Sequence, residues 1–447
     1  MAVKRMLTRR DLLTLGGLTA GGLVLGWPNR RAGRAAPAVA TKRFVQINLE
    51  GGWDSALATD PIIGSKTGSH SYEPILRVPS SDLAPIGVAG KPQLVVGPGL
   101  GAAAPAFAAM PTAFVNGMYM EVSAHDFASQ YISSGRLSLS QSRDYPSIPA
   151  HLGSTLGGYP PHVVLGTTSP PLGETRLSSP PLQAVTNETL VSMLAGPSGE
   201  GVKPDVVADA HALIGQLDAL TYDRLPRGHR SDLALWVESS KRTDALYTSK
   251  VANQLAYTDA MKIRYGIDQH QSEPSGPEAA LGSLYCLLAS NLCPYLSATF
   301  SSFDTHSDHM AVHLPLMRRF ATALAVFVED LTTTNDPSSP ELKLSDTTTL
   351  LITSEFVRTP RFNQFGGTDH WQSASAIVMG LGVMDGAVIG ATDDGGNALG
   401  WDGARPVASN GSNQLLPDHL IATILAGVGA AEQANTVSTV RINGLFH

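Results

Sequence analysis

Three apolar runs, far apart in the chain, each end close to an acidic side chain, and this pattern most constrains the fold. The acids are Asp54 after FVQINL, Asp304 after PYLSATFSS and Glu355 after TTTLLIT. Short apolar runs bounded by turn residues are typical of strands buried on both faces of a parallel sheet. Ligands of such sheets bind beyond the carboxyl ends of the strands, where these acids are expected.

The rest of the chain favours one large α/β domain. Further strand-like runs are QLVVG, TAFVNGMYM and PHVVLG, and helical periodicity covers Val206–Leu220, Leu233–Met261 and Leu314–Leu331. Strands that alternate with helices predict a sandwich with a mainly parallel central sheet and helices on both faces. With 447 residues, 43% of them hydrophobic, we expect a single domain over residues 41–447. A Pro/Ser/Gly-rich segment near its middle predicts an inserted cap at about residues 159–265.

The first forty residues are interpreted as a twin-arginine export signal. TRRDLL at residues 8–13 leads into a sixteen-residue apolar stretch with five glycines, and small residues follow up to Ala40. This stretch is too short and too glycine-rich for a stable membrane span. We therefore expect recognition by the twin-arginine translocase, cleavage after Ala38 or Ala40, and a periplasmic or secreted mature protein without a membrane span.

Charge and cysteine content narrow the partners. Removal of residues 1–40 takes away seven cations and one anion, which changes the formal net charge from −7 to −13. An acidic surface repels phosphate backbones, so nucleic acid is not an expected partner. The two cysteines, Cys286 and Cys293, are interpreted as buried thiols.

Histidines beside two of the acids indicate a metal site. Asp304 and His306 stand two residues apart, so in an extended segment both project to one face; Asp369 and His370 form a second pair. Carboxylate and imidazole ligands together suit Zn²⁺, Mn²⁺ or Fe better than Ca²⁺ or Mg²⁺. Asp54 is either a further ligand or the cap of a following helix.

The motifs LEGGWDS, FDTHSDH, SEFVRTPRFN and GGTDHW, in this order between Lys42 and Val428, resemble a bacterial family of twin-arginine-exported proteins of unknown function. That family is grouped with the alkaline phosphatase and sulfatase superfamily. The resemblance implies an alkaline-phosphatase-like sandwich that holds one or two divalent metal ions, Zn or Mn being favoured. The metal ligands that it implies are Asp54, Asp304, His306, Glu355, Asp369 and His370.

The same resemblance leaves the nucleophile and the second metal open. Phe356 stands where a phosphatase carries a histidine of the second site, so a site with one metal is an alternative. Ser123 or His125 reaches the place of the superfamily nucleophile, and Ser123 is alternatively a helix N-cap. Arg358 either neutralises an oxygen of the substrate or forms a surface ion pair.

Two functions are consistent with these residues. The first is an exported metal-dependent hydrolase that acts on a phosphate or sulfate ester of a small molecule or glycan. The second is a non-catalytic envelope protein that uses the same fold to bind a metal or a glycan. Phe356 and the absence of a clear nucleophile favour the second.

Overall fold

The computed structural model describes residues 41–64, 76–138, 145–156, 160, 162–166, 182–195, 251–268 and 276–447. The predicted export signal, the predicted helix at Val206–Leu220 and most of the predicted cap lie outside these ranges.

One eight-stranded sheet forms the centre of the described structure. Its strands are β1 (Arg43–Leu49), β2 (Thr112–Tyr119), β3 (Val163–Leu165), β4 (Leu182–Ala184), β5 (Tyr295–Phe300), β6 (Thr348–Thr353), β7 (Ser373–Gly380) and β8 (Ala387–Ile389). They lie in the order β8-β2-β7-β6-β1-β5-β3-β4. Only β7 runs antiparallel to its neighbours, β6 and β2. The carboxyl ends of the other seven strands therefore share one edge, at which β7 begins.

Helices cover both faces of the sheet, as the sequence predicts. They are α1 (Ala104–Ala109), α2 (His125–Ser134), α3 (Ile148–Leu156), α4 (Asn187–Ala195), α5 (Val251–Leu255), α6 (Asp259–Tyr265), α7 (Pro277–Ala289), α8 (His309–Thr333), α9 (Leu344–Thr347), α10 (Pro417–Gly427) and α11 (Ala431–Val437). Alternate residues of β1 enter two separate cores, Val45 and Ile47 on one face and Phe44 on the other. Helices α7 and α8 pack in the first core, and α2, α3 and α10 in the second.

Smaller elements complete the structure. Three 3₁₀ helices cover Ser55–Leu57, Ser80–Asp82 and Gly101–Ala103. Four short antiparallel pairs join Ala84–Pro85 to Val95–Val96, Asn335–Asp336 to Ser339–Lys343, Val357–Arg358 to His370–Trp371, and Gly400–Trp401 to Pro406–Val407.

Helix α8 has the length and apolar composition of a membrane span, and it is the only such helix within the described ranges. Its residues Met317, Phe320 and Leu324 are fully buried and pack in the first core. A core helix meets the same criteria of length and composition as a membrane span. Both cysteines are free and buried, as expected.

Two predictions of secondary structure differ from the fold. The QLVVG run forms only a two-residue strand, Val95–Val96, outside the central sheet, because Gly97 and Pro98 end it immediately. The helix predicted up to Met261 is broken in its described part into α5 and α6. Thr258 starts α6 as an N-cap whose side chain accepts a hydrogen bond from the Met261 amide, and this extended residue interrupts the helix.

The first residue of β1 carries a buried ion pair. The side chains of Arg43 and Asp336 are both fully buried, and the guanidinium donates to both carboxylate oxygens. Asp336 also accepts hydrogen bonds from Thr347 Oγ1 and from the backbone and side chain of Ser338. Burial raises the pKa of Asp336, but the hydrogen bonds from Thr347, Ser338 and Arg43 outweigh it and lower that pKa below 3.8. This pair ties the central strand to the segment between α8 and β6.

We expect Arg43→Met and Asp336→Asn each to lower the free energy of unfolding by about 3–5 kcal/mol, because each leaves one buried polar partner unpaired. The double variant should lose less than the sum of the two. Because the folded-state pKa of Asp336 is lowered, its contribution is present above the unfolded value and is lost as pH falls below about 4. Urea unfolding of the three variants at several pH values tests this, and additive losses would contradict the pairing.

Candidate metal centre

Four elements bring charged and imidazole side chains to the carboxyl edge of the sheet. Asp304 follows β5, Glu355 follows β6, and His125 is the first residue of α2, which follows β2. His370 lies in the short strand just before β7, which starts at this same edge because it runs antiparallel. The sheet topology thus joins residues that are up to 245 positions apart in the chain.

Three histidine rings surround the carboxylate of Asp304. The ligand atoms of His125, Asp304 and His370 all lie within 4.8 Å of one another. Asp304 Oδ1 is 3.1 Å from His370 Nε2 and 3.1 Å from His306 Nε2, and Asp304 Oδ2 is 3.5 Å from His125 Nε2. His306 Nε2 and His370 Nε2 are themselves 3.1 Å apart. We call these four residues the Asp304 cluster.

Each ring is held from behind by an acceptor on its other nitrogen. Nδ1 of His125 lies 2.8 Å from Glu355 Oε1, Nδ1 of His306 lies 2.9 Å from Asp369 Oδ1, and Nδ1 of His370 lies 2.8 Å from the Ser123 carbonyl oxygen. Carboxylates and carbonyls only accept, so each Nδ1 carries the proton. A neutral ring then has a bare lone pair on Nε2, and all three lone pairs converge on a carboxylate.

Such convergence requires a cation. Lone pairs on His306 and His370 repel each other and the Asp304 carboxylate unless protons or a metal ion stand between them. Metal-bound histidines characteristically donate their second N–H to a carboxylate or carbonyl, which is the arrangement seen here. Ligands about 2.0–2.1 Å from a tetrahedral ion lie roughly 3.3 Å apart, close to the 3.1–3.5 Å separations within the cluster. His125, Asp304 and His370 therefore fit one divalent metal, and His306, next to Asp304 and His370, is the candidate for a fourth ligand.

Hydrogen bonds to charged partners set the protonation of the cluster. Burial raises the pKa of Asp304, but the hydrogen bond and charge of Arg358 and the contact with the His370 ring outweigh it and hold that pKa below 3.8. The hydrogen bond from His306 lowers the pKa of Asp369. The hydrogen bond to Glu355 raises the pKa of His125 against the effect of burial. The carboxylates of Asp304 and Asp369 are therefore ionised at neutral pH.

Arg358 is buried, which contradicts one of its two expected roles, the surface ion pair. Its side chain is 0% exposed and donates to the carbonyls of Gly51, Gly52 and Thr368 as well as to Asp304 Oδ1. The nitrogens Nε, Nη1 and Nη2 of Arg358 all donate to acceptors within the protein. Arg358 therefore positions Asp304 and joins the loops that follow β1 and β6.

Close backbone contacts at the site explain the two glycines of LEGGWDS. Gly51 has φ +117°, and a Cβ there would lie 2.1 Å from the Asp304 backbone nitrogen. Gly52 has φ +83°, and its Cβ would lie 2.5 Å from the Phe356 ring. Only glycine allows both this backbone conformation and this approach. The first loop can therefore pack directly against the segment that carries Asp304.

Phe356 forms an apolar wall for the cluster. The residue is fully buried, and its ring centroid lies 4.4 Å from that of His370 and 5.1 Å from that of His125. Contact with two imidazoles fixes their planes and removes water from one side of them. Phe356 thus supports the imidazoles of His125 and His370.

Asp54 caps a 3₁₀ helix, which was one of the two alternatives. Its Oδ1 accepts from the amides of Ala56 and Leu57 at 2.9 and 3.4 Å, and its Oδ2 lies 2.8 Å from His309 Nε2. Both oxygens are thus engaged, and the residue is 0% exposed. The ligand role expected for Asp54 has no contact with the Asp304 cluster to support it.

His309 and His313, one turn apart at the start of α8, extend this buried network. Asp54 N–H donates to His313 Nε2 at 3.0 Å, and Thr305 Oγ1 lies 3.1 Å from His313 Nδ1 and 2.7 Å from His309 Nδ1. Thr368 Oγ1 also reaches His309 Nδ1 at 3.0 Å. Thr305 adjoins Asp304, and Thr368 adjoins Asp369, so the network positions both loops of the site. Both histidines are fully buried, and their contacts give them a structural role.

The other predicted residues lie behind the cluster or beside it. Glu355 and Asp369 contact His125 and His306, so they orient ligands in this structure. Ser123 contributes its carbonyl to His370, and the N-cap of α2 is Ala124, so Ser123 is not the helix cap. His125 was considered only as a nucleophile. Its position after the parallel strand β2 could have identified it as a ligand, because Asp304 and Glu355 were identified by their positions after parallel strands.

Comparison with known proteins identifies the family. The model of the family described as "Protein of unknown function (DUF1501)" matches residues 41–439. The chain belongs to this family. The family membership expected from the motifs is confirmed, and no curated protein matches the DUF1501 chain.

Three solved structures are similar to the chain. An alkaline phosphatase superfamily protein from Vibrio parahaemolyticus is 10% identical over 95% of this chain and 76% of its own, with a TM-score of 0.39. The lipoteichoic acid synthase LtaP from Listeria monocytogenes is 9% identical over 87% of this chain and 75% of its own, with a TM-score of 0.34. The PsFucS1 sulfatase from Pseudoalteromonas sp. is 11% identical over 99% of this chain and 78% of its own, with a TM-score of 0.31. These similarities do not identify a reaction or a substrate.

We expect the protein, purified without chelator, to contain one divalent metal ion per chain by elemental analysis. Asp304→Ala and His370→Ala should abolish the bound metal, because each removes a central ligand. Asp369→Asn should weaken metal affinity by about 10–100-fold, since it loosens the His306 ring without removing a ligand.

Asp308→Asn is the matched control for the metal analysis. Asp308 is an exposed carboxylate four residues from Asp304, and asparagine tolerates its positive φ of 49°. Full metal content in Asp304→Ala, or loss in Asp308→Asn, would contradict the Asp304 cluster as the site.

Asp54→Asn separates the two roles of that residue. Asparagine keeps the cap but cannot accept from both the helix amides and His309, so we expect a loss of about 1–3 kcal/mol in the free energy of unfolding with metal content unchanged. Calorimetry and elemental analysis of one preparation test this. Loss of metal at unchanged stability would instead make Asp54 a ligand.

Proposed function

We propose that the protein is an exported metal-dependent hydrolase of phosphate or sulfate esters. The observation that carries this proposal is the set of three imidazoles whose Nδ1 atoms are occupied and whose Nε2 atoms face Asp304. Export rests on the twin-arginine pattern in residues 1–40, and the ester class rests on the superfamily that the sequence motifs resemble.

The chain's own residues have separable roles in this proposal. Asp304, His125, His306 and His370 would hold the metal, for which three nitrogens and one oxygen favour Zn or Mn. A divalent metal bound there supplies Lewis-acid stabilisation of charge on the ester oxygens and an activated oxygen nucleophile. The second carboxylates and the Ser123 carbonyl keep the rings oriented, and Phe356 excludes water from one side of the cluster.

One metal fits better than two. Phe356 occupies the space beside His125 and His370 with a ring that cannot act as a ligand. Asp54, implied as a ligand of the second metal, has both oxygens engaged by a helix N-terminus and by His309. With one metal held there, water would be the nucleophile: its oxygen would bond to phosphorus or sulfur as the ester P–O or S–O bond breaks, and a proton from the water would pass to the departing alcohol.

Ser123 is the remaining candidate for a covalent nucleophile. It precedes the Ala124 N-cap and so lies outside the first turn of α2, where helix amides would stabilise an alkoxide. Its carbonyl, and not its hydroxyl, makes the contact with His370. We therefore assign attack to water and keep Ser123 as a residue that positions His370 through its backbone.

A second candidate function is binding without catalysis. Phe356 removes the imidazole that a two-metal phosphatase would use, and the hydroxyl of Ser123 has no described contact with the cluster. A protein that uses one metal to bind a glycan or an envelope partner would show the same features. Metal content together with an ester screen separates the two functions.

We expect turnover of 4-nitrophenyl phosphate or 4-nitrophenyl sulfate that stops with chelator and returns on addition of Zn²⁺ or Mn²⁺. His370→Ala should lower kcat/KM at least about a thousandfold, equal to roughly 4 kcal/mol of transition-state stabilisation. Release of nitrophenol from the metal-loaded protein is the measurement.

Ser123→Ala is the informative companion, because it removes the hydroxyl and keeps the carbonyl that holds His370. Turnover within a few-fold of the original protein is expected for attack by water. A loss of about a thousandfold or more with metal retained would assign a covalent serine mechanism. Metal binding without turnover of any ester would favour the binding protein.

A further inference from the structure

A second feature of the carboxyl edge is a cavity of about 410 Å³. It lies where three parallel strands end, and its lining includes Gly166 after β3, Val185 after β4 and Thr299 at the end of β5. Its size is within the usual range for small-molecule sites, and its place is the usual one in such sheets.

The cavity and the cluster share one segment of chain. Ser301 and Ser302 line the cavity, and Ser302 is two residues before Asp304. Their Cα atoms are therefore no more than roughly 7 Å apart. Ser302 is exposed and has φ +87°, a conformation that is uncommon for a residue other than glycine. One edge of the cavity is therefore close to Asp304 along the chain.

The lining is rich in hydroxyl groups and poor in free charge. Six hydroxyl side chains line it, namely Thr186, Tyr257, Ser283, Thr299, Ser301 and Ser302. Arg319 is the one ionic side chain among the lining residues, and Glu278 holds it with two hydrogen bonds of 2.8 and 3.0 Å. Among the described lining residues, an anionic ligand would find no cation that is not already paired. Leu165, Val185 and Phe300 add apolar surface.

A buried acceptor on the lining is without a partner. Asn187 is 3% exposed, and its Nδ2 donates to the Leu255 carbonyl at 2.8 Å, which fixes the orientation of the amide. Its Oδ1 is buried and has no hydrogen-bond partner. Buried acceptors are rarely left unpaired, so this oxygen calls for a donor. A neutral donor that also suits hydroxyl and apolar surfaces is the O–H group of a sugar or polyol.

We propose that this cavity binds the alcohol part of the substrate, and that this part is a neutral sugar or polyol. The assignment rests on the proposed hydrolase in one respect only, namely that the ester group of the same molecule lies at the Asp304 cluster. Asn187 Oδ1 accepts from a ligand hydroxyl, the serine and threonine side chains make further hydrogen bonds, and the apolar residues contact the C–H faces of the ligand.

Binding is testable without turnover. Saturation-transfer NMR with glucose, galactose, mannose and glycerol at millimolar concentrations measures ligand binding directly. The measurement is made on the original protein and on the metal-depleted Asp304→Ala variant. We expect binding by both proteins, with the sugars and glycerol distinguishing a ring from an open polyol. Absence of binding for all four compounds would overturn the proposal.

Two variants locate the binding. Asn187→Leu removes the unpaired acceptor at similar size, and Thr299→Val removes a hydroxyl isosterically from a strand in which valine is well tolerated. We expect each to weaken affinity, Asn187→Leu by about tenfold. Ser192→Ala is the control, since Ser192 is exposed on the same helix as Asn187 and is absent from the lining. Unchanged affinity in both Asn187→Leu and Thr299→Val would overturn the proposal.

The two proposals fail in different ways. Sugar binding that depends on Asn187, without hydrolysis of any ester, counts against the hydrolase and leaves the cavity assignment intact. Ester hydrolysis in a protein that binds none of the four neutral compounds counts against the cavity assignment alone.

Discussion

The convergence of three imidazole nitrogens on the Asp304 carboxylate is the interaction on which the rest of the site depends. Lone pairs on three Nε2 atoms and a carboxylate repel one another at these distances, so the arrangement favours a proton or a metal ion between them. The neighbouring groups maintain this arrangement. Carboxylates and a carbonyl hold the Nδ1 atoms, and the buried Arg358 compensates the charge of Asp304.

Behind the cluster, a buried hydrogen-bond network keeps its two loops in register. Thr305 and Thr368 share His309 Nδ1, and His309 in turn donates to Asp54, the cap of a 3₁₀ helix. These groups are almost fully buried, so each lost hydrogen bond would leave a buried polar atom unpaired. The network therefore contributes to stability and to the placement of ligands together. Ser302, two residues before Asp304, lines the proposed sugar cavity. Residues that follow β5 would therefore contribute both to substrate recognition and to the metal site.

Sequence reasoning succeeded where local pattern and strand direction were sufficient. The apolar runs before Asp304 and Glu355 formed parallel strands, and Asp304, His306 and His370 lie together. It left the role open where a residue type has two roles that local sequence does not separate. Asp54 and Glu355 both follow strands, yet one caps a helix and the other orients His125. The QLVVG run has strand composition, but Gly97 and Pro98 end it too early to join the sheet.

The sequence by itself determined the class of fold, the family, and the edge of the sheet at which chemistry would be found. The fold class and the edge follow from strands buried on both faces, which runs of consecutive apolar residues indicate. The family follows from the order of the motifs around Asp54, Asp304, Glu355 and His370. Only the tertiary structure decided which nitrogen of each imidazole faces Asp304, that His125 joins the cluster, and that Arg358 is buried. Those outcomes depend on contacts between residues separated by dozens to hundreds of positions. The local sequence around a histidine does not indicate whether Nδ1 or Nε2 will accept or donate a hydrogen bond.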